Sequence, residues 1–122
     1  MPKKILIIDD DPIVVQYLKN LFQNNGYETT AASGGIEGAE EVEKNKPDLI
    51  TLDLQMPDQW GPRFYRMLKK NKEFIEIPVI VITGLSGGQH SIPKAVGYLS
   101  KPFDPDELMK IVRKTIGKPD EQ

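Results

Sequence analysis

The chain of 122 residues is 39% hydrophobic and 28% charged, carries a net charge of −2 and contains no cysteine. This length predicts one domain with a buried core, and the absence of thiols excludes disulfides and thiolate metal sites. The small net charge gives no reason to expect nucleic acid or a membrane as a partner. No apolar run is long enough to span a bilayer, and no signal-peptide pattern is present, so a cytoplasmic location is expected. We expect a domain over 1–117 and a polar tail over 118–122.

The first predicted strand ends in a run of acids. Residues 4–8 form an apolar stretch, rich in isoleucine and too short for a helix, which favours a buried strand. Asp9, Asp10 and Asp11 follow it directly, and Pro12 comes next. Asp11 and Pro12 suit the N-cap and the first position of a helix. The predicted strand is therefore joined to the predicted helix by a loop that consists almost entirely of aspartates.

Three amphipathic helices are predicted in the first seventy residues. The second begins after Gly35 and the third after Pro62, and a polar strand over 28–31 suits the edge of a sheet. The apolar residues predicted to face inward from these helices are Ile13, Val14, Tyr17, Leu18, Leu21, Phe22, Ile36, Ala39, Val42, Phe64, Tyr65, Met67 and Leu68. Lys69, Lys70 and Lys72 are predicted to face solvent.

The strand over 49–52 delivers a single carboxylate to a loop. Its four apolar or β-branched residues run into Asp53, and the pair Met56 and Pro57 then stops regular structure. In an open parallel sheet, the loops at the carboxyl ends of the strands form the crevice where ligands bind. Asp53 is therefore expected in a functional crevice.

The last third of the chain adds two strands and a helix. Residues 78–83 form an apolar strand that ends in Thr83, and a short fifth strand over 96–99 is followed by Lys101. The intervening segment over 84–95 holds three glycines and a proline, which predicts only a shortened or irregular fourth helix. Asp104 and Pro105 suit the start of the final helix.

Strand and helix alternate five times, which predicts an α/β fold with helices on both faces of a sheet. We predict a flavodoxin-like, doubly wound, five-stranded parallel sheet of order 2-1-3-4-5, with right-handed crossovers. The most apolar strands should be central and the polar second strand peripheral. The side chains that this order brings to the carboxyl edge are Asp9, Asp10, Asp53, Thr83 and Lys101.

These side chains predict phosphoryl chemistry assisted by a metal. Three crowded carboxylates repel one another, and a divalent cation relieves that repulsion. Oxygen ligands with no histidine or cysteine nearby favour Mg²⁺. A carboxylate can also attack phosphorus and form an aspartyl phosphate. Lys101 and the Thr83 hydroxyl would then share the charge of the phosphoryl group with the metal.

The sequence resembles the receiver domain of bacterial response regulators over essentially its whole length. The motifs that carry the resemblance are Ile-Ile-Asp9-Asp10, Asp53-x-x-Met56-Pro57-x-x-x-Gly61, Ile82-Thr83-Gly84 and Tyr98-x-x-Lys101-Pro102-Phe103. Each motif is weak alone, but their order and their places at strand ends are specific. The resemblance implies a phosphoacceptor domain in two-component signalling, whose partner is a histidine kinase or a histidine phosphotransfer protein.

The resemblance also implies a role for each matching residue. Asp53 would accept the phosphoryl group, and it would bind Mg²⁺ together with Asp10 and the backbone carbonyl of Gln55, while Asp9 would act mainly through water. Lys101 would pair with the phosphoryl group. A second set of roles concerns switching and lifetime: Thr83 and Tyr98 would form the switch pair, and Gln55 and Leu85 would tune how fast the phosphoryl group is lost.

Two features depart from the family pattern. Thr83 and Lys101 are 18 positions apart, several residues closer than is usual, and the shortening falls where the fourth helix belongs. That region commonly forms the family's output surface, so partner binding there is not carried over. The chain also lacks an output domain, which predicts either a stand-alone receiver or a fragment of a longer protein.

Two other function classes remain as alternatives. Asp9-x-Asp11 before an apolar helix resembles the nucleophile motif of haloacid-dehalogenase-like phosphatases, which also use Mg²⁺. Against this class, the chain has no later acidic pair at a strand end, and Asp53 would have no role. The third class is a pseudo-receiver, a scaffold that binds partners without phosphate, and the complete acid set with Lys101 argues against it.

Overall fold

A five-stranded parallel sheet forms the centre of the computed structural model, which describes residues 2–55, 60–84 and 94–120 and, of Trp60, only the backbone. The strands are β1 (Lys4–Ile8), β2 (Glu28–Ala32), β3 (Leu49–Leu52), β4 (Val79–Thr83) and β5 (Gly97–Ser100). Their order, β2-β1-β3-β4-β5, confirms the predicted topology. The predominantly apolar strands β1, β3 and β4 are central because both of their faces must be covered.

Four helices cover the sheet in the described part of the chain. They are α1 (Pro12–Asn24), α2 (Gly35–Asn45), α3 (Trp60–Lys70) and α4 (Pro105–Ile116). Asp11 and Asp104 cap α1 and α4, each accepting a hydrogen bond from a backbone N–H in the first turn, as predicted. The shortened helix predicted over 84–95 lies almost wholly outside the described residues, as does Leu85. No described helix is both long and apolar enough to cross a membrane.

Successive side chains of a strand point to opposite faces of the sheet, so alternate residues of each central strand belong to two separate hydrophobic cores. On one face, α2 and α3 pack against the sheet through Val42, Phe64 and Leu68. On the other face, α1 and α4 pack through residues such as Phe22 and Val112. The helices are therefore divided in pairs, so that α2 and α3 form one outer surface of the protein.

Several residues predicted to be buried are exposed instead. Ile13 and Ile36 lie largely in solvent, and Ile36 is 62% exposed, while Tyr17 and Met67 are nearly half exposed. In α2 the sheet-facing position belongs to Gly38, where an added Cβ would lie 2.9 Å from Ile8 Cδ1. Because the helix backbone approaches the sheet closely at a glycine, the large side chain of Ile36 points away from it.

Lys69 was predicted to face solvent, but its side chain packs against the protein instead. Its ammonium donates hydrogen bonds to the backbone carbonyls of Ile75 and Ile77, at 2.9 and 3.1 Å. The same group lies 5.3 Å from the centre of the Tyr65 ring. Lys69 therefore ties the end of α3 to the segment that leads into β4 and does not extend into solvent.

The amino ends of the strands are closed by hydrogen bonds. The carboxylate of Asp48 accepts from the backbone N–H of Lys4 at 2.8 Å. The Tyr27 hydroxyl donates to the Gly117 carbonyl at 2.5 Å, and the Lys3 N–H donates to the Pro119 carbonyl at 2.9 Å. These contacts fasten the segment after α4 beneath the sheet, including part of the tail predicted over 118–122.

Candidate phosphoacceptor site

The sheet brings three carboxylates together just beyond the carboxyl ends of β1 and β3. Ile8 and Leu52 are paired in the parallel register, so Asp9 and Asp53 emerge side by side. The Asp53 N–H donates to the Ile8 carbonyl at 3.0 Å, which continues the ladder by one residue. Asp10 adds a third carboxylate, and oxygen atoms of the three acids lie within 4.8 Å of one another.

The three acids differ in exposure. Asp9 and Asp53 are each only 3% exposed, whereas Asp10 is exposed. Backbone N–H groups orient the two buried carboxylates: Asp11 donates to Asp9 Oδ1 at 2.9 Å, and Gln55 donates to Asp53 Oδ1 at 3.0 Å. Hydrogen bonds of this kind satisfy an ionised carboxylate that is removed from water. The site therefore holds two fixed carboxylates and one that remains open to solvent.

Lys101 follows the edge strand β5 and reaches the same point across β4. Its ammonium lies 2.9 Å from Asp9 Oδ2 and 3.4 Å from Asp53 Oδ2. The Lys101 backbone N–H donates to the Thr83 carbonyl at 3.0 Å, and a cis peptide bond joins Lys101 to Pro102. One cation thus bridges the two buried acids, although these residues are 92 and 48 positions away in the chain.

The charges of Asp9, Asp53 and Lys101 compensate one another only in part. Burial raises the pKa of the Asp9 carboxyl, and it does so despite the opposing hydrogen bonds from Lys101 and from the Asp11 N–H. Burial acts to lower the pKa of the Lys101 ammonium, but Asp9 and Asp53 outweigh it, so that this pKa is raised. Lys101 is therefore held in its charged form, while Asp9 carries a residual penalty for ionisation.

The remaining predicted residues surround this cluster. Thr83 ends β4, is buried and pairs in register with Ser100, one residue before Lys101. Tyr98 lies in β5, opposite Val81, and is half-buried against the core that contains α2 and α3. Gln55 is exposed at the rim, two residues after Asp53. The fold thus brings Thr83 and Gln55 to the carboxyl ends of the strands, whereas Tyr98 lies within the edge strand β5, two residues before its end.

Two supporting contacts were not foreseen in the sequence. Asp11, predicted only as an N-cap, also uses its backbone N–H to orient Asp9. Gly61 packs so closely on the strand end that an added Cβ would lie 2.8 Å from the Asp53 carbonyl oxygen and 2.7 Å from Leu54 Cα. The glycine eight positions after Asp53 was the visible signal for this approach, but only tertiary packing explains it.

Comparisons with known proteins agree with this architecture. The chain is 38% identical to protein Rrf1 of Nitratidesulfovibrio vulgaris, over 95% of this chain and 84% of that protein. It is 29% identical to the polar-differentiation response regulator DivK of Brucella anthropi, over 96% of this chain and 98% of that protein.

Solved structures show the same likeness. A putative response regulator from Chloroflexus aurantiacus superposes with a TM-score of 0.88 at 28% identity, over 97% of this chain and all of that one. The receiver domain of a sensor histidine kinase from Pseudomonas aeruginosa, with a magnesium ion coordinated in its active site cleft, gives a TM-score of 0.86 at 25% identity, over 97% and 100% of the two chains. Residues 5–113 match the response regulator receiver domain, and the chain belongs to that family.

Proposed function

We propose that this receiver domain accepts a phosphoryl group on Asp53 from a phosphohistidine of a histidine kinase or a histidine phosphotransfer protein. The observation that supports this most directly is the cluster itself: three carboxylates within 4.8 Å, two of them bridged by the Lys101 ammonium. Asp53 is the member that stands at the end of the central strand β3. A buried carboxyl with a raised pKa, such as that of Asp9, held beside a second buried carboxyl and a cation, is characteristic of sites built for chemistry.

The donor set fits Mg²⁺. Each of Asp9, Asp10 and Asp53 offers one carboxylate oxygen, and no nitrogen or sulfur ligand belongs to the cluster among the described residues. We propose these three residues and the backbone carbonyl of Gln55 as the protein's contribution to the metal site. Mg²⁺ prefers oxygen ligands and keeps several waters, which suits a site with one open, solvent-exposed acid. When bound, the metal would supply positive charge to the phosphoryl oxygens.

In the transfer step, a carboxylate oxygen of Asp53 attacks phosphorus and forms a new P–O bond as the P–N bond to histidine breaks. The histidine nitrogen leaves with the electron pair of that bond and takes a proton from solvent. The Gln55 N–H holds the attacking carboxylate in a fixed orientation, which reduces the entropic cost of reaching the transition state. Lys101, already 3.4 Å from Asp53 Oδ2, is placed to neutralise an oxygen of the transferred group.

Phosphorylation would then change the surface through Thr83 and Tyr98. The Thr83 hydroxyl would turn toward the phosphoryl group, and the half-buried Tyr98 ring would move further into the space beside β4. A ligand shifts a conformational equilibrium only if it favours one of the states, and a hydrogen bond from Thr83 to phosphate supplies such a difference. The domain would act on itself in this way and would not turn over a metabolite.

The phosphatase alternative is not favoured, because it would leave Asp53 without a function although Asp53 lies in the same cluster and shares the Lys101 ammonium with Asp9. The match of residues 5–113 to the receiver domain also supports Asp53 over Asp9 as the nucleophile. The pseudo-receiver alternative would have to leave a buried, incompletely compensated acid pair without chemical use.

The experiment that tests the proposal is intact mass spectrometry after incubation with acetyl phosphate, with and without Mg²⁺. It compares the natural protein with Asp53→Asn, Asp9→Asn and the control Asp48→Asn, which alters an aspartate at the opposite end of the sheet. We expect one phosphoryl group per chain in the natural protein and in Asp48→Asn, only when Mg²⁺ is present. Asp53→Asn should carry none.

Other outcomes would contradict the proposal in distinct ways. An adduct that survives in Asp53→Asn and disappears in Asp9→Asn would move the protein to the phosphatase class. The absence of an adduct in all four proteins, with no Mg²⁺ binding by calorimetry, would indicate a pseudo-receiver. An adduct that forms equally well after chelation of divalent cations would remove the metal from the mechanism.

A further inference from the structure

The two helices on one face of the sheet carry opposite charges. Helix α2 contains four glutamates and one lysine, whereas α3 contains two arginines and two lysines and no acid. Most of these charged side chains are exposed, including Glu40 and Glu43 on α2 and Arg66 and Lys70 on α3. The α2–α3 face is therefore divided lengthwise into an acidic half and a basic half.

The same face also carries apolar surface. Met67 on α3 is 42% exposed, and Ile36 on α2 is among the most exposed large apolar residues of the protein. A groove of about 160 Å³ runs between the helices, and its lining includes Glu40, Glu43 and Met67. Exposed apolar side chains between charged borders are typical of surfaces that bind another protein.

We propose that the α2–α3 face, defined as the solvent-facing residues of these two helices, is the interface of a symmetric dimer of this chain. A two-fold axis that runs along the groove exchanges left and right, and it places the α2 of each copy over the α3 of its partner. Both contacts then join an acidic surface to a basic one. Self-complementarity of this kind is what an interface between identical subunits requires.

The position of the charges along the helices fits this arrangement. Glu40 and Glu43 line the groove beside Met67, while Arg66 and Lys70 flank Met67 on its other side. The acidic and basic side chains therefore lie at similar positions along the two-fold axis. Because a rotation about this axis does not change a position along it, the acidic side chains of each copy face the basic side chains of its partner. Met67 lies between the two charged sets in each copy, so Met67 side chains approach one another near the centre of the interface. An alternative two-fold axis across the helices would pair acid with acid.

The experiment measures dimerisation of the full chain by sedimentation equilibrium at low and high salt. Variant A carries Glu40→Lys and Glu43→Lys, which makes α2 basic where it faces the basic α3 of the partner. Variant B carries Arg66→Glu and Lys70→Glu, which replaces the cations of α3 that flank Met67 by acids where α3 faces the acidic α2 of the partner. We expect each variant alone to dimerise at least about ten-fold more weakly than the natural protein, because attractive pairs become repulsive in both contacts. An equimolar mixture of A and B should form a heterodimer, since both of its contacts are again complementary.

Controls separate this effect from a change in net charge or in folding. Lys110→Glu with Lys114→Glu makes the same charge change as variant B on the exposed surface of α4 and should leave dimerisation unchanged. Circular dichroism verifies that every variant is folded. The proposal is overturned if the natural protein is monomeric at every concentration that remains in solution. It is also overturned if A and B weaken the dimer but fail to associate with each other.

Discussion

The two ends of the sheet treat their polar groups in opposite ways. At the amino end, Asp48 accepts from the Lys4 N–H and Tyr27 donates to the Gly117 carbonyl, so polar groups find partners within the fold. At the carboxyl end, three carboxylates lie within 4.8 Å, and Lys101 is the cation that contacts two of them. The first arrangement is complete, whereas the second leaves negative charge that no described group neutralises.

The two ends therefore differ in their effect on stability: the contacts at the amino end stabilise the fold, and the crowded acids at the carboxyl end lower its stability. At the amino end, the hydrogen bond to the Gly117 carbonyl satisfies the hydroxyl of the buried Tyr27, which would otherwise be costly to bury. At the carboxyl end, burial raises the pKa of Asp9, and the neighbouring negative charge of Asp53 acts in the same direction with a smaller effect. Sites that bind charged ligands commonly carry such unfavourable arrangements, because the ligand relieves them. Substitutions at the two ends should therefore affect different properties.

The largest expected effect is the loss of activity in Lys101→Met. Without the ammonium, no side chain at the 3.4 Å contact can neutralise the transferred group on Asp53. We expect the rate of phosphorylation by acetyl phosphate to fall about 100-fold, which corresponds to about 2.7 kcal/mol of transition-state stabilisation. Time-resolved intact mass spectrometry in the presence of Mg²⁺ measures this rate. Lys110→Met, on the exposed surface of α4, is the matched control, and equal rates in the two variants would remove Lys101 from the chemistry.

A change at the amino end should alter stability but leave activity unchanged. Tyr27→Phe deletes the hydroxyl that donates to the Gly117 carbonyl and leaves that partly buried acceptor without this donor. We expect the free energy of unfolding to fall by about 1 kcal/mol, as measured by urea denaturation. The same deletion in Tyr17→Phe, at a tyrosine that is nearly half exposed, should have almost no effect. A slower phosphorylation of Tyr27→Phe would show that the two ends are coupled.

The smallest expected effect concerns the way in which the free energy of unfolding of the metal-free protein varies with pH. The pKa of Asp9 is 3.8 in the unfolded chain and higher in the folded one, so the folded state binds more protons between these two values. The free energy of unfolding contributed by this group therefore decreases as pH rises through that window. In Asp9→Asn, the part of the decrease in the free energy of unfolding that Asp9 causes over this pH range should be absent. Urea denaturation at a series of pH values, with chelator present, compares the two proteins, and identical slopes would contradict the assignment.

Much of the site was predictable because it depends on strand ends. Asp9 follows β1, Asp53 follows β3 and Thr83 ends β4, and a parallel sheet must bring such positions to one edge. Lys101 was predicted at the same edge by the same reasoning. The alternation of strands and helices predicted a parallel sheet. The apolar character of the strands distinguished centre from edge and led to the order β2-β1-β3-β4-β5, which the structure confirms.

Side-chain direction on the helices was less predictable. Apolar spacing suggested that Ile36 and Met67 face the core, yet both lie on the outer surface. The rotation of α2 is decided by Gly38, whose close approach to Ile8 depends on residues thirty positions away. Hydropathy identifies which side chains favour burial, but the number of buried positions on a helix is limited by the surface that it contacts.

The sequence by itself determined the fold, the family motifs and the acids at the strand ends, because hydrophobic periodicity and strand termini are local properties of the chain. Only the tertiary structure decided how those acids are held: Lys101 bridges Asp9 and Asp53, while backbone N–H groups orient each carboxylate. It also decided that an acidic helix and a basic helix share one face. These features depend on distances between residues far apart in the chain, and such distances are set by the packing of the whole domain.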